Sequence, residues 1–240
     1  MKKLLLATTL IALTAGYAAA DVVRLATEGA YPPFNFVDDT GEIAGFEREF
    51  GDEICKRAAL ECTWSTNEWD SIIPNLQSGN YDVIIAGMSI TDERKQVIDF
   101  SDNYYPPVPS VYVAAKADAN FASGTVAVQV STIQAAYIAA SGATLLEFPT
   151  PDETVAAVRN GEADAVFADF DYLNPLVKES GGALMVVGDP VAIGGGVGLG
   201  LRQSDQELKG KLNEAIAAMK ADGSLNVLIE KYFGAEGQKF

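Results

Sequence analysis

Strand-like and helix-like apolar runs alternate twice along this chain, and the two series are separated by stiff or glycine-rich crossings. In the first series, residues 22–26 are β-branched and strand-like. Phe46, Phe50, Ile54 and Ala58 then recur every four residues, the spacing of one helix face. D-V-I-I-A (82–86) reads as a buried strand after a helix that ends near Gly79. Strand, helix, strand in that order predicts parallel pairing. The second series opens with the strand 126–130. Thr150, Pro151 and Glu153 form a helix start with N-cap, N1 and N3 residues in place. That helix stops at Asn160-Gly161, and 163–168 is another buried strand. Ser204-x-x-Glu207 predicts a further capping box, before a helix with Leu208, Leu212, Ile216 and Met219 on one face. Gly223 ends it, and 225–233 forms a last helix.

Y-Y-P-P-V-P (104–109) is stiff and extended. Gly194, Gly195 and Gly196 precede a strand at 197–201. Two such crossings divide the chain into two lobes. The first lobe takes 21–108 and 194–240, and the second takes 109–193. Each lobe is expected to be a mostly parallel sheet flanked by helices.

Residues 1–20 have a different character. Lys2 and Lys3 precede the apolar run 4–13, and three alanines precede Asp21, the pattern of a cleaved export signal. The run is short for a membrane span, and no cysteine sits at the cleavage site. The expectation is a periplasmic protein with no membrane anchor. Formal charge is −16, and two units more negative without the signal. A nucleic-acid partner needs a basic face and is not expected. The sequence contains no histidine. That excludes Ser-His-Asp and Cys-His sites and removes the commonest metal ligand. Cys55 and Cys62 in an exported chain predict one disulfide. No metal and no cofactor are expected.

Several short motifs carry chemistry, each with a plainer alternative. In A-G-M-S-I-T-D-E-R (86–94), Gly87, Met88 and Ser89 follow a buried strand, where α/β sheets bind ligands. They also read as an ordinary turn. If Thr91 caps a helix, Arg94 lies in its first turn. A cation there opposes the helix dipole, and a bound anion would justify it. A surface pair with Asp92 or Glu93 is the alternative. Tyr31, in A-T-E-G-A-Y-P-P-F (26–34), and Trp69, in E-W-D-S-I-I-P (68–74), could sandwich a cationic or flat group, or simply pack in a core. Asp169 could pair an ammonium or cap a helix. Glu28 could face a cation or be a solvated loop charge. Glu47 and Glu49, in G-F-E-R-E-F (45–50), read as first-turn helix acids.

In order and spacing these motifs resemble the periplasmic polar amino acid-binding proteins of ABC importers, over nearly all of 22–233. They are most similar to the subgroup for arginine, or for lysine, arginine and ornithine. The resemblance implies a two-lobed type II periplasmic binding protein fold with two hinge crossings and no catalysis. It implies an L-amino acid ligand, a basic one such as arginine, lysine or ornithine, and an inner-membrane permease as partner for a monomeric binding protein. By motif, Tyr31 and Trp69 resemble walls around the ligand side chain. Gly87 and Ser89 resemble the loop at its α-ammonium and α-carboxylate. Arg94 resembles the carboxylate clamp, Asp169 the ammonium partner, and Glu28 the acid facing a distal cation. The family usually has Gly-Thr or Gly-Ser-Thr where this chain reads V-S-T-I-Q (130–134), which puts Thr132 at the carboxylate. Two alternatives stay open. One is an enzyme similar to cyclohexadienyl dehydratase on the same fold. The other is a binding protein for an uncharged polar amino acid or cystine.

Overall fold

The computed structural model describes residues 22–235 and 237–240, so the expected export signal at 1–20 lies outside the described residues. The chain opens with β1 (Val22–Thr27), β2 (Ala30–Tyr31), β3 (Asn35–Val37) and β4 (Ile43–Ala44). Then come α1 (Phe46–Arg57), β5 (Glu61–Thr66), a 3-10 turn (Trp69–Ser71), α2 (Ile72–Gln77) and β6 (Val83–Ile84). The short α3 (Asp92–Lys95) and β7 (Asp99–Tyr105) lead to the first crossing. Beyond it lie β8 (Ser110–Ala114), β9 (Thr125–Gln129), α4 (Ile133–Ala139), β10 (Thr144–Phe148) and α5 (Pro151–Asn160). β11 (Ala165–Asp169), α6 (Phe170–Glu179) and β12 (Met185–Val191) follow. After the second crossing the chain ends with β13 (Val197–Leu201), α7 (Gln206–Ala221) and α8 (Ser224–Phe233).

Two five-stranded sheets organise these elements, in the orders β5-β1-β6-β13-β7 and β10-β9-β11-β8-β12. In each, four strands run one way. The exception is β13 in the first sheet and β8 in the second. Those two are the strands that the crossings enter. The first sheet takes strands from both ends of the chain. Tyr104 and Tyr105 complete β7 as buried residues, so the extended crossing itself is 106–109.

The four-residue spacing in α1 is a core face. Phe46, Phe50 and Ile54 are fully buried against Leu212, Ile216 and Met219 of α7, with Ala58 at its edge. A disulfide joins Cys55 of α1 to Cys62 of β5. The box at Thr150 and Glu153 forms, with Pro151 in the first turn and Gly161 in the left-handed conformation at the end of α5. Such a cap is worth about 1 kcal/mol. The predicted box at Ser204 and Glu207 does not form. α7 begins one residue later than that box requires, with Asp205 at the N-cap and no side-chain cap. Ser204 Oγ donates to Asp205 at 2.8 Å, and Glu207 pairs with Lys211 at 2.8 Å instead of turning back. Among the described residues no helix is long and apolar enough to cross a membrane.

Candidate functional site

A cleft with a cavity of about 40 Å³ lies between the two sheets and is lined from both. Of the residues singled out in the sequence, Glu28, Tyr31, Trp69, Gly87, Ser89 and Arg94 line it from the first lobe. Thr132 and Asp169 line it from the second. Met88 does not. Ser89 forms an isolated bridge with Val197, so this segment runs extended and neighbouring residues face opposite ways. Met88 is fully buried in the core with Trp69 and Ile72, and its carbonyl accepts from Gly198 N–H at 3.2 Å.

Arg94 forms the cationic part of the cleft. Thr91 caps α3 and accepts from Arg94 N–H at 3.1 Å, which fixes the root of the side chain. The guanidinium donates to Ser89 O at 2.9 Å and to Ser131 O at 3.3 Å, and lies 5.3 Å from the centre of the Trp69 ring. It forms no salt bridge among the described residues, and Asp92 pairs with Lys95 instead. Burial lowers its pKa to about 10, which leaves it charged at neutral pH. A partly buried cation held by two carbonyls and an aromatic face has capacity for a bidentate anion.

Asp169 faces it from the end of β11. It stands at the N-cap of α6 but makes no cap bond. Its Oδ2 accepts from the Tyr31 hydroxyl at 2.9 Å. Its Oδ1 accepts from Gln134 Nε2 at 2.9 Å and from Ser110 Oγ at 3.4 Å. Burial raises its pKa to about 6, against the pull of Tyr31, Ser110 and Arg94.

Glu28 marks another part of the cleft. Its Oε1 accepts from Gln129 Nε2 at 2.5 Å, and Gln129 also donates to Pro149 O at 3.0 Å. Burial pushes the Glu28 carboxyl up to about 7, Gln129 offsets part of this, and the charges of Glu68, Glu47 and Asp152 add to it. Tyr31 and Trp69 are the aromatic walls. Tyr31 stacks on Tyr172 with ring centres 4.5 Å apart. Trp69 Nε1 donates across the cleft to Ser131 O at 3.3 Å.

Backbone chemistry narrows what the loops can offer. Gly87, at φ 60°, gives its N–H to Glu47 Oε1 at 2.6 Å. Among the described residues its carbonyl and the Ser89 hydroxyl carry no partner. The Thr132 hydroxyl is occupied as the cap of α4, accepting from Ala135 N–H at 3.1 Å and donating to Gln129 O at 2.7 Å. Ser131 holds φ 58°, a left-handed conformation that suits glycine, at the departure from the family motif.

Gln129 and Gln134 are cleft residues that the motif reading passed over. Gln129 ends β9, and its place beyond a strand's carboxyl end is a usable signal. Glu47 had no such signal, because a buried first-turn acid and a solvated one are written alike.

Residues 23–235 match the profile of the bacterial extracellular solute-binding proteins, family 3. The sequence is 32% identical over 243 residues to ABC transporter arginine-binding protein 1 of Escherichia coli K12, covering 97% of this chain and 99% of that protein. The fold is similar to that of a periplasmic His/Glu/Gln/Arg/opine family-binding protein from Silicibacter pomeroyi, solved in complex with lysine. The TM-score is 0.90 and the identity 66%, over 91% of this chain and 100% of that one. It is also similar to an ancestral amino acid-binding protein described as a precursor of cyclohexadienyl dehydratase. There the TM-score is 0.80 and the identity 30%, over 88% of this chain and 95% of that one.

Proposed function

The chain belongs to family 3 of the bacterial extracellular solute-binding proteins, and from that premise we propose that it captures a basic L-amino acid for an ABC importer. Arginine, lysine and ornithine are the ligands the cleft suits. One observation carries this: a partly buried arginine without a salt bridge, an opposed aspartate and a partly buried glutamate line one cleft. A zwitterion with a distal cation has one charge for each.

In this reading Arg94 clamps the α-carboxylate. Asp169 and the Gly87 carbonyl hold the α-ammonium, Tyr31 and Trp69 flank the aliphatic stem, and Glu28 with Gln129 takes the distal cation. The lobe boundaries lie at 108/109 and 193/194, and the lobes close about these crossings. Residues 1–20 direct export to the periplasm, where the liganded monomer docks on an inner-membrane permease.

The likeness to a dehydratase precursor supports a second reading, an enzyme on the same fold. One experiment separates the two. Protein stripped of ligand by unfolding and refolding is screened by thermal shift against all amino acids, since a ligand of the native state raises stability by mass action. Prephenate and arogenate are assayed alongside for turnover. A rise in melting temperature with arginine, lysine or ornithine, without turnover of either acid, is the expected result. Turnover would overturn it.

A further inference from the structure

Glu47 is fully buried, while Glu49, two residues on, pairs with Lys231 at the surface. The entry of α1 explains the difference. Gly45 has φ 109°, and a β-carbon there would sit 2.6 Å from Phe34 O, so only glycine lets the chain pass this closely. The Phe46 and Glu47 amides are then taken by Pro33 O at 2.9 Å and Phe34 O at 2.8 Å. With the helix start held against this segment, the Glu47 side chain lies under the loop that follows β6.

Three donors meet that carboxylate. Oε1 accepts from Gly87 N–H at 2.6 Å and from the Tyr104 hydroxyl, and Oε2 accepts from Asn35 Nδ2 at 2.6 Å. Asn35 is itself fully buried, and its Oδ1 accepts from Gly29 N–H at 2.7 Å. A continuous chain of bonds therefore runs from Gly29 through Asn35 and Glu47 to Gly87. Its ends are the two turns that bring Glu28 and Ser89 to the cleft. Burial raises the Glu47 pKa, and the three donors pull it back down.

Packing alone does not account for an acid here. Glu47 forms no ion pair among the described residues. A buried carboxylate costs several kcal/mol in desolvation, and an apolar side chain would avoid that cost. A carboxylate does, however, accept from several donors at once. A glutamine in its place would set its own N–H₂ against one of them. The start of α1 also favours negative charge.

We propose that Glu47 is a positioning residue for ligand capture. It holds the Gly87 N–H away from the ligand, leaving the Gly87 carbonyl for an ammonium group. Through Asn35 and Gly29 it also fixes the turn that presents Glu28. This rests on the amino acid-binding reading above.

The test compares wild type, Glu47→Gln and Tyr104→Phe. Calorimetric titration with L-arginine and L-lysine gives affinity, scanning fluorimetry gives melting temperature, and amide NMR follows the Gly87 proton. In wild type the Gly87 amide resonates downfield and exchanges slowly; in Glu47→Gln it moves upfield. Glu47→Gln lowers affinity at least tenfold. Tyr104→Phe removes a donor from the same carboxylate and a neighbour of the Gly87 N–H, but leaves the bond from Gly87 N–H to Glu47 Oε1 in place. It lowers the melting temperature but keeps affinity within threefold. Affinity losses in the two variants that simply track their melting temperatures would overturn the proposal, as would an unshifted Gly87 amide. Should Glu47→Gln not fold, a rapidly exchanging Gly87 amide in wild type overturns it. Wild type that binds neither amino acid would sink the underlying reading instead, and the Gly87 amide would still decide the tether.

Discussion

The Tyr31 hydroxyl donates to Asp169 Oδ2 at 2.9 Å, joining β2 to the end of β11 across the cleft. Among the described residues it is one of four polar contacts between the lobes there, with Glu28–Gln129 at 2.5 Å, Trp69–Ser131 at 3.3 Å and Arg94–Ser131 at 3.3 Å. Each uses a residue proposed to touch the ligand. Ligand capture and lobe closure therefore draw on the same side chains.

Arg94→Ala and Asp169→Ala should each weaken amino acid binding by about 2–5 kcal/mol. Each removes one charge from a cleft that shields it from water and leaves the ligand's opposite charge without a partner. Isothermal titration reads the affinity, and circular dichroism checks that the fold is intact. Near-native affinity in either variant would remove that residue's role.

Much of this fold is legible in the sequence because its signals are local. Phe46, Phe50 and Ile54 declare a helix face by spacing alone, and Thr150, Pro151 and Glu153 declare a helix start. Ser204 and Glu207 show the limit of such signals. The spacing is right, but Asp205 takes the N-cap, and nothing local chooses between adjacent polar residues. The cleft was legible in its first-lobe half, where the motifs are contiguous. Gln134 was not assigned a contact, because its bonds run to Ser110 and Asp169, 24 and 35 residues away. Glu47 hides for the same reason: its partners Asn35, Gly87 and Tyr104 are brought together only by the fold.

Ser131→Gly should stabilise the protein. A side chain at φ 58° carries left-handed strain of roughly 1–2 kcal/mol, of which glycine's greater unfolded-state freedom returns a part. A net gain of about 0.5–1 kcal/mol raises the melting temperature by roughly 2 °C in a protein of this size. Ligand affinity should stay unchanged, since Arg94 and Trp69 are held by the Ser131 carbonyl and not by its hydroxyl. A lower melting temperature would show that the strain is absent.

Ligand should close the lobes about the crossings 106–109 and 194–196. Arg94 and Asp169 belong to different sheets, so both charges of an α-amino acid are met only when the sheets approach. Small-angle scattering of verified ligand-free protein, before and after adding arginine, should show a smaller radius of gyration. An unchanged radius would count against a hinge at these crossings.

Glu28 should give binding its pH dependence and its preference for a cation. Burial pushes its carboxyl up from 4.5 to about 7, and Asp169 moves the same way from 3.8 to about 6. Both folded-state values lie above the unfolded ones. The folded protein then holds more protons than the unfolded chain within these windows, and its stability falls as pH rises through them. For Glu28 the full shift corresponds to about 3 kcal/mol. A ligand with a distal cation acts in the opposite sense, because it pairs with the ionised carboxylate. The rise in melting temperature produced by arginine or lysine should therefore be larger at pH 7.5 than at pH 5.5. Glutamine should show a flatter response, since its neutral tip leaves an ionised Glu28 desolvated without a charged partner. Glu28→Gln should flatten the arginine and lysine responses and weaken both ligands more than glutamine. Scanning fluorimetry at the two pH values, with arginine, lysine, glutamine and cystine on wild type and variant, makes the comparison. Tightest binding of an uncharged amino acid, independent of pH and indifferent to Glu28→Gln, would sink the basic-ligand assignment and leave general amino acid capture standing.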